Sequence, residues 1–358
     1  MGTRHRTARH LAAASSLVLL VALGACSDDG GSDATTGDDR AADEAAPPTT
    51  TTAADLPSVT PFEDAGALAI EATPDPDWVA ITGDAAWVTG VGEGEVGIGE
   101  AMGDLARYDL TTGELGGITP IGVACLAMEE AFASLWVADC ADSTLQQVDP
   151  DTAEVVSTTQ ITFTNQVAPE SSIGATRDAL WLLSAGDEPS LAKVDPETLE
   201  VEVSAAPAGA AAVRGTDDAV WVTDADDDQL VQIDPDTGDE VGRTDVSSGP
   251  GFLAVDDTDV WVLGADHGTV SRVDQATGDL VAEVVVDEAA VTGGDIAVGG
   301  GFVWARTVSS AVAQIDPATN EVVARFGEPV GSGSVAAGEH AVWISAHDVT
   351  TVWRLPLP

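Results

Sequence analysis

From about residue 66 to the C-terminus, apolar and polar residues alternate in short runs separated by clusters of Asp, Gly, Thr and Pro. A period of two over such runs predicts half-buried β-strands, and the clusters predict the turns between them. The stretch Ala211 to Val241, AAVRGTDDAVWVTDADDDQLVQIDPDTGDEV, shows the unit that repeats. It predicts a strand over 211–214, a polar turn, a strand centred on Trp221, an acidic loop, a strand over 229–233, the turn Asp234-Pro235-Asp236-Thr237-Gly238, and a fourth strand. In that turn Pro presets φ at the first turn position, the Asp before it bonds backbone amides, and Gly takes the left-handed conformation that ends it.

Aligned on the Trp, variants of the unit place Trp87, Trp136, Trp181, Trp221, Trp261, Trp304 and Trp343 at separations of 49, 45, 40, 40, 43 and 39 residues. Six copies go on to a turn-opening Asp, at Asp109, Asp149, Asp195, Asp234, Asp274 and Asp316. A period of about 40 to 45 residues with four short strands per repeat marks a β-propeller blade. The chain is therefore predicted to be all-β, a seven-bladed β-propeller of four-stranded blades over residues 61–358. The repeated Trp sits beside Val or Leu on the second strand and is read as core filling the gap between blades, not as a sugar-stacking row.

The seventh copy stops after three strands, because Thr351-Val-Trp-Arg-Leu runs into Pro356-Leu-Pro where its turn should be. The missing outer strand is predicted at the other end of the domain, in Leu68-Ala-Ile-Glu-Ala-Thr, closing the ring and covering edges that would otherwise invite aggregation. Blade one departs from the pattern: Trp87 to Asp109 is 22 residues against 12 to 14 elsewhere, and the excess lies in a glycine-dense loop over 90–100.

Ahead of the repeats, Arg4, Arg6 and Arg9 precede an apolar run, Leu11 to Leu23, too short for a stable membrane span. Residues 1–25 are read as a secretory signal peptide. It ends in Leu23-Gly24-Ala25-Cys26, which resembles the lipobox of bacterial lipoproteins, so Cys26 is expected to carry the lipid that anchors the protein to the membrane. Residues 26–60 are rich in Asp, Gly, Ala, Thr and Pro and cannot bury enough surface to offset ordering entropy, so they are expected to form a disordered tether. The resulting location is the extracytoplasmic face of a bacterial cell membrane.

Charge narrows the list of partners. The formal net charge is −48, and loss of the signal peptide takes it to −51. Nucleic acid and anionic headgroups would be repelled, and no basic patch is present to bind them. The expected partners are an unidentified protein or small-molecule ligand, met by a monomeric domain. The two remaining cysteines, Cys125 and Cys140, fall in the second copy, outside the cytoplasm, where disulfides form. Moving the cross-strand pairing of Ala254 with Trp261 to that copy brings the partner of Cys125 within a residue or two of Cys140, so a Cys125–Cys140 bridge is expected.

In a propeller the second-to-third strand loops and the blade-to-blade loops share one face, around the mouth of the central channel, where ligand sites usually form. That face is expected to carry Asp139, Asp224, Asp226, Asp266, His267 and His347 as ligand-binding candidates. Asp224, Asp226 and Asp228 are the metal candidates, since converging carboxylates can hold Ca²⁺ or Mg²⁺. No cofactor is otherwise required. No nucleophile elbow, HExxH, Walker loop or dinucleotide fingerprint occurs, which leaves His267 and His347 as the catalytic candidates.

The repeats, WVTD or WVAD followed by V/I-D-P-x-T-G and a Val-rich strand, resemble the bacterial YVTN-type and virginiamycin B lyase-like seven-bladed propellers over residues 66–358. In lyase members a His and a Glu with Mg²⁺ open a cyclic depsipeptide antibiotic by elimination, and the resemblance implies His267 as the nearest counterpart by blade position. Quinoprotein propellers carry a Trp after the turn glycine, whereas here the Trp precedes the turn, so a quinone is not implied. The sequence thus points to a binding or scaffolding module at the cell surface, with a metal-dependent lyase as the alternative.

Overall fold

The computed structural model describes residues 49–52, 56–73, 75–91, 103–122, 124–139, 142–163 and 165–357, with backbone alone at 91 and 124–126. Within residues 46–358 the strands form seven sheets, each with four strands in the blade pattern. In blade four, Ala210–Gly215, Val220–Asp224, Gln229–Ile233 and Glu240–Asp245 pair antiparallel in chain order from the inside out. Inner strands of successive blades lie side by side, and the seventh, Val335–Ala337, lies beside the first, Val79–Thr82, so the ring is complete.

Closure follows the sequence expectation. Leu68–Glu71 pairs antiparallel with Thr351–Pro356 as the outer strand of blade seven, with Ile70 opposite Val352. Ile70 is buried in a cluster with Trp343 and Val352, whereas Leu68, two residues earlier on the same face of the strand, is exposed.

The segment upstream differs from the expected tether where it is described. Val59–Thr60 adds a parallel strand to the outer strand of blade six, Glu321–Phe326, and Thr49–Thr50 does the same for Leu280–Val285 of blade five. So polar a segment can dock because a sheet edge offers backbone donors and acceptors and asks for no apolar face. Thr51 N–H donates to the Glu283 carbonyl at 3.1 Å, and Val285 N–H donates to Thr51 Oγ1 at 2.9 Å. Phe62, just beyond, stacks on Trp353 at 5.0 Å. Residues 49–52 and 59–60 therefore strap the outer edges of two blades, and 53–55 between them lie outside the described residues. Residues 1–48, including the signal peptide and Cys26, lie outside the described residues, as do 92–102 of the blade-one glycine loop.

All seven repeated Trp side chains are fully buried, as their core reading requires. Each packs against the following blade: Trp221 clusters with Leu253, Val260 and Val273 of blade five, and Trp343 with Val79 and Val88 of blade one. In five blades the indole N–H also caps the first hairpin five residues back, donating to Thr82 Oγ1, the Ala131 carbonyl, Thr176 Oγ1, Asp256 Oδ2 and the Gly299 carbonyl.

Four of the basic residues stand where the blades meet. On the third strand, Arg107, Lys193, Arg272 and Arg354 pair with the Trp of blades one, three, five and seven, while Gln147, Gln232 and Gln314 take that place in blades two, four and six. Three of the cations lie 5.0 to 5.7 Å from their indole centroid. All four donate to a backbone carbonyl in the turn of the next blade, at Pro150, Pro235, Pro317 and Leu110. In three of those turns the opening Asp carboxyl accepts amides two and three residues on, as at Asp234 from Asp236 and Thr237, and these bonds hold the Asp234 carboxyl below its ordinary range; Asp316 accepts only the Ala318 amide.

Closure by a non-covalent strand makes a test. Ile70→Ala is expected to lower unfolding free energy by about 2–4 kcal/mol, whereas Leu68→Ala should change it by less than about 0.5 kcal/mol. Urea denaturation of both variants checks this, and equal losses would mean that the strand does not complete the core of blade seven.

Candidate functional site

The inner strands surround a channel whose cavity is about 270 Å³. Its lining follows from one register position, the residue paired with each blade's Trp. Five blades place Ala80, Gly174, Ala254, Ala297 and Ala336 there, and two place a charge, Glu129 in blade two and Arg214 in blade four. Small residues keep the bore open. Arg214 donates through one terminal nitrogen to the carbonyls of Ile173 and Val213, both at 2.9 Å. Its charge acts on both Glu129 and Asp295.

More carboxylates gather where the inner strands begin. Asp295 immediately precedes the inner strand of blade six and is 3% exposed. It is fully engaged: Oδ2 accepts from Ser334 Oγ at 2.6 Å and Val335 N–H at 3.0 Å, and Oδ1 from Ile296 N–H at 2.8 Å. Asp77 and Glu170 lie on the connectors leading into blades one and three, and Glu170 feels the charges of Asp77 and Asp295. Arg306, 2% exposed at the end of the second strand of blade six, donates to the carbonyls of Gly331, Gly333 and Ala311. Burial pushes its pKa down to about 10 against the opposing pull of Asp295, Asp348 and Asp77. His347 shares a short hydrogen bond with Ser332 Oγ through Nε2 and acts on Asp77.

The acids at this mouth are hard to ionise. Burial raises Asp77 to about 6, in spite of His347, and raises Glu170 and Glu129 to about 7. Glu129 is half-exposed because the channel admits solvent, yet protein surrounds it closely enough for desolvation to dominate. Next to Glu170 the backbone is left-handed at two successive non-glycine residues, Glu170 and Ser171, with φ of 58° and 38°. The buried hydroxyls of Ser171 and Ser172 have no hydrogen-bond partner.

Most of the rim residues singled out by sequence fold back onto the blade connectors instead. Asp139 is buried, accepts Asp142 N–H at 3.2 Å, and lies against Gly122, where a Cβ would sit 1.9 Å from its Oδ2. Asp224 takes the Arg243 guanidinium on Oδ2 at 3.0 Å and abuts Gly209, where a Cβ would come within 2.4 Å of Oδ1. Asp228 accepts Gly249 N–H, Asp266 accepts Ser248 Oγ, and Asp348 accepts Gly331 N–H. Asp226 and His267 are exposed. Among the described residues no group of three or more His, Cys, Asp or Glu side chains is placed to hold a metal ion, so Asp224, Asp226 and Asp228 are not brought together as a ligand set.

Of the two histidines, His347 stands at the channel mouth and His267 does not. Asp77, Glu129, Glu170, Asp295, Arg214 and Arg306 escaped the sequence reading, although acids just ahead of three inner strands and charges at an otherwise small-residue position were the available signal. The Cys125 side chain and Cys140 lie outside the described residues. The backbone nearby pairs Ala124 with Asp139 and carries a bulge between Ala124 and Ala127.

No family profile matches this sequence, and no curated protein matches it. Solved structures do. A U3-55K structure has a TM-score of 0.66 at 10% identity, covering 81% of this chain and 98% of its own. The β-propeller domain of Myceliophteria thermophila Cps50 (Swd1) has a TM-score of 0.64 at 14% identity, covering 82% and 100%. The WD40 repeats of RRP9 reach 0.66 at 11% identity, covering 82% and 97%. At these identities the likeness establishes the propeller fold alone.

The raised acids set a pH dependence. With Glu129 at about 7 in the native protein against an ordinary 4.5, the native state holds a proton that the unfolded chain releases, so stability falls as pH rises between those values. Glu129→Gln is expected to raise stability at pH 8 by on the order of 2 kcal/mol and to leave it unchanged at pH 4. Urea titrations at both pH values check this, and an equal gain at both would show that ionisation of this carboxyl is not the source.

Proposed function

We propose that this protein is a lipid-anchored, extracytoplasmic binding or scaffolding module, a seven-bladed propeller of the YVTN type that meets its ligand at the channel mouth. The observation that carries the reading is the convergence there of Asp77, Glu129, Glu170 and Asp295, drawn from four different blades or their connectors. Carboxyls whose ionisation is held back by partial burial in a cleft are a recurring mark of a binding site. Anchoring rests on the leader and on Cys26, and the YVTN assignment rests on the V/I-D-P-x-T-G turns. The lyase alternative needs a His and carboxylates gathered on a cation, and the geometry around His267 gives that reading no support.

Two experiments test the reading in cells. The full chain should incorporate an alkyne-tagged fatty acid, and Cys26→Ser should abolish the label and release the protein into the medium. Immobilised full chain should retain a defined surface protein that an Asp77→Asn, Glu170→Gln double variant loses, and retention unchanged by that variant would move the site away from the mouth.

The Cys125–Cys140 bridge is proposed on the same grounds of compartment and spacing. Thiol titration of the denatured, lipidated protein without reductant should then find no free thiol, and two free thiols would overturn the pairing.

A further inference from the structure

We propose that the outer edge of blade two seats a second copy of this chain, the two copies pairing strand to strand about a two-fold axis. This contact does not depend on what the channel mouth binds. A sheet edge presents unpaired N–H and C=O groups, and proteins commonly cover it, charge it or interrupt it. Six of the seven outer strands here are managed in one of those ways. Thr49–Thr50 and Val59–Thr60 cover those of blades five and six. Glu202 charges that of blade three, Glu240, Arg243 and Asp245 that of blade four, and Glu71 that of blade seven. In blade one the outer strand contains Gly116, Gly117 and Pro120, which weaken pairing and remove an edge donor. Blade two has none of these devices. Its outer strand, Val155–Gln160, reads VVSTTQ, with four β-branched residues and no charge in a chain of 61 acids. Val155 and Val156 are exposed, and among the described residues no further strand pairs with this edge.

The strap on blade five shows that such an edge accepts a strand, and by which groups. There the Glu283 carbonyl takes Thr51 N–H, and Val285 N–H donates to Thr51 Oγ1. Counted from the outer-strand residue in line with the blade's Trp, Thr158 and Gln160 stand where Glu283 and Val285 stand. The next bond inward matches too, from Ile161 N–H to the Ser143 carbonyl as from Val286 N–H to that of Gly268. Inward and outward groups alternate along a strand, so the backbone of Thr158 and Gln160 faces outward. A second copy fits this edge because the stretch is complementary to itself. With the two-fold axis at Thr159, Thr158 of each copy lies opposite Gln160 of the other and exchanges both backbone bonds with it. No charged residue enters that pairing, whereas the edges of blades three, four and seven would set carboxylates against carboxylates. Two chains of net charge −48 approach each other at least cost where neither carries an acid. So short a pairing makes a weak dimer that depends on concentration.

The test is disulfide trapping between single variants of the full chain, kept in detergent so that a lipid does not itself drive association. Thr158→Cys and Gln160→Cys chains oxidised together are expected to give at least tenfold more cross-linked dimer than either variant alone, after subtraction of the parent chain. Val203→Cys mixed with Ala205→Cys, the same two exposed positions on the charged edge of blade three, should show no such excess. In sedimentation velocity, Thr158→Glu should abolish the concentration-dependent dimer and Val203→Glu should leave it. Raising salt from about 0.05 to about 0.5 M should tighten the dimer at least threefold, because it screens the like net charges. No excess in the first mixture, an equal excess in the second, a dimer indifferent to Thr158→Glu, or a monomer at every salt and concentration overturns the proposal. Cross-linking of either variant with itself as strong as in the mixture overturns the two-fold register.

Discussion

Every blade of this protein depends on its neighbour for a hydrophobic core. The second-strand Trp is too large for its own four-stranded sheet to cover, and the fully buried indoles find their cover on the following blade. No blade can therefore bury its apolar surface alone, and the ring must close for the first and last to be covered. The closing strand, Leu68–Glu71, matters for this reason more than for its length. It comes from the other end of the domain, so the last blade cannot be completed without the first part of the chain.

A very acidic chain has few cations with which to reinforce these joints, and their placement is regular. Arg107, Lys193, Arg272 and Arg354 lie against the Trp face and reach a carbonyl in the next blade's turn, so a single side chain covers an indole and bonds a neighbour. Glutamine takes the position in the intervening blades. With an odd number of blades the alternation fails once, and it fails between blades seven and one, where two cationic blades adjoin. The chain itself breaks inside blade seven, between its third strand and the outer strand supplied from the other end of the domain, and at the seam beside it Arg354 bonds Leu110 at 2.7 Å.

The fold was legible in the sequence because each blade repeats the same local physics: period-two strands, an Asp-opened turn and one indole. The solution to closure was legible for a similar reason, since a seventh copy lacking its fourth strand has to find one. The channel mouth was harder to read. Asp77, Glu170 and Asp295 sit at different offsets ahead of their inner strands, and nothing local distinguishes them from the many other acids until the ring brings them together. The conspicuous runs misled in the opposite direction. Asp139 and Asp224 look like free rim carboxylates, but each is folded against a connector glycine. The strap was missed because polar, Pro- and Thr-rich sequence reads as linker, and edge pairing through the backbone leaves no apolar signature.

The strap gives the ring a mechanical order. A pull on the chain upstream of Thr49 reaches the outer edge of blade five first, then blade six, and only then the strand that closes blade seven. The first two attachments are two-residue parallel pairings that can yield under load with little loss of core. Their rupture lengthens the chain between the point of pull and the ring before any force bears on Ile70. The edge pairings thus act as sacrificial links, dissipating tension on the N-terminal side while the seam that holds the seven blades together remains unloaded.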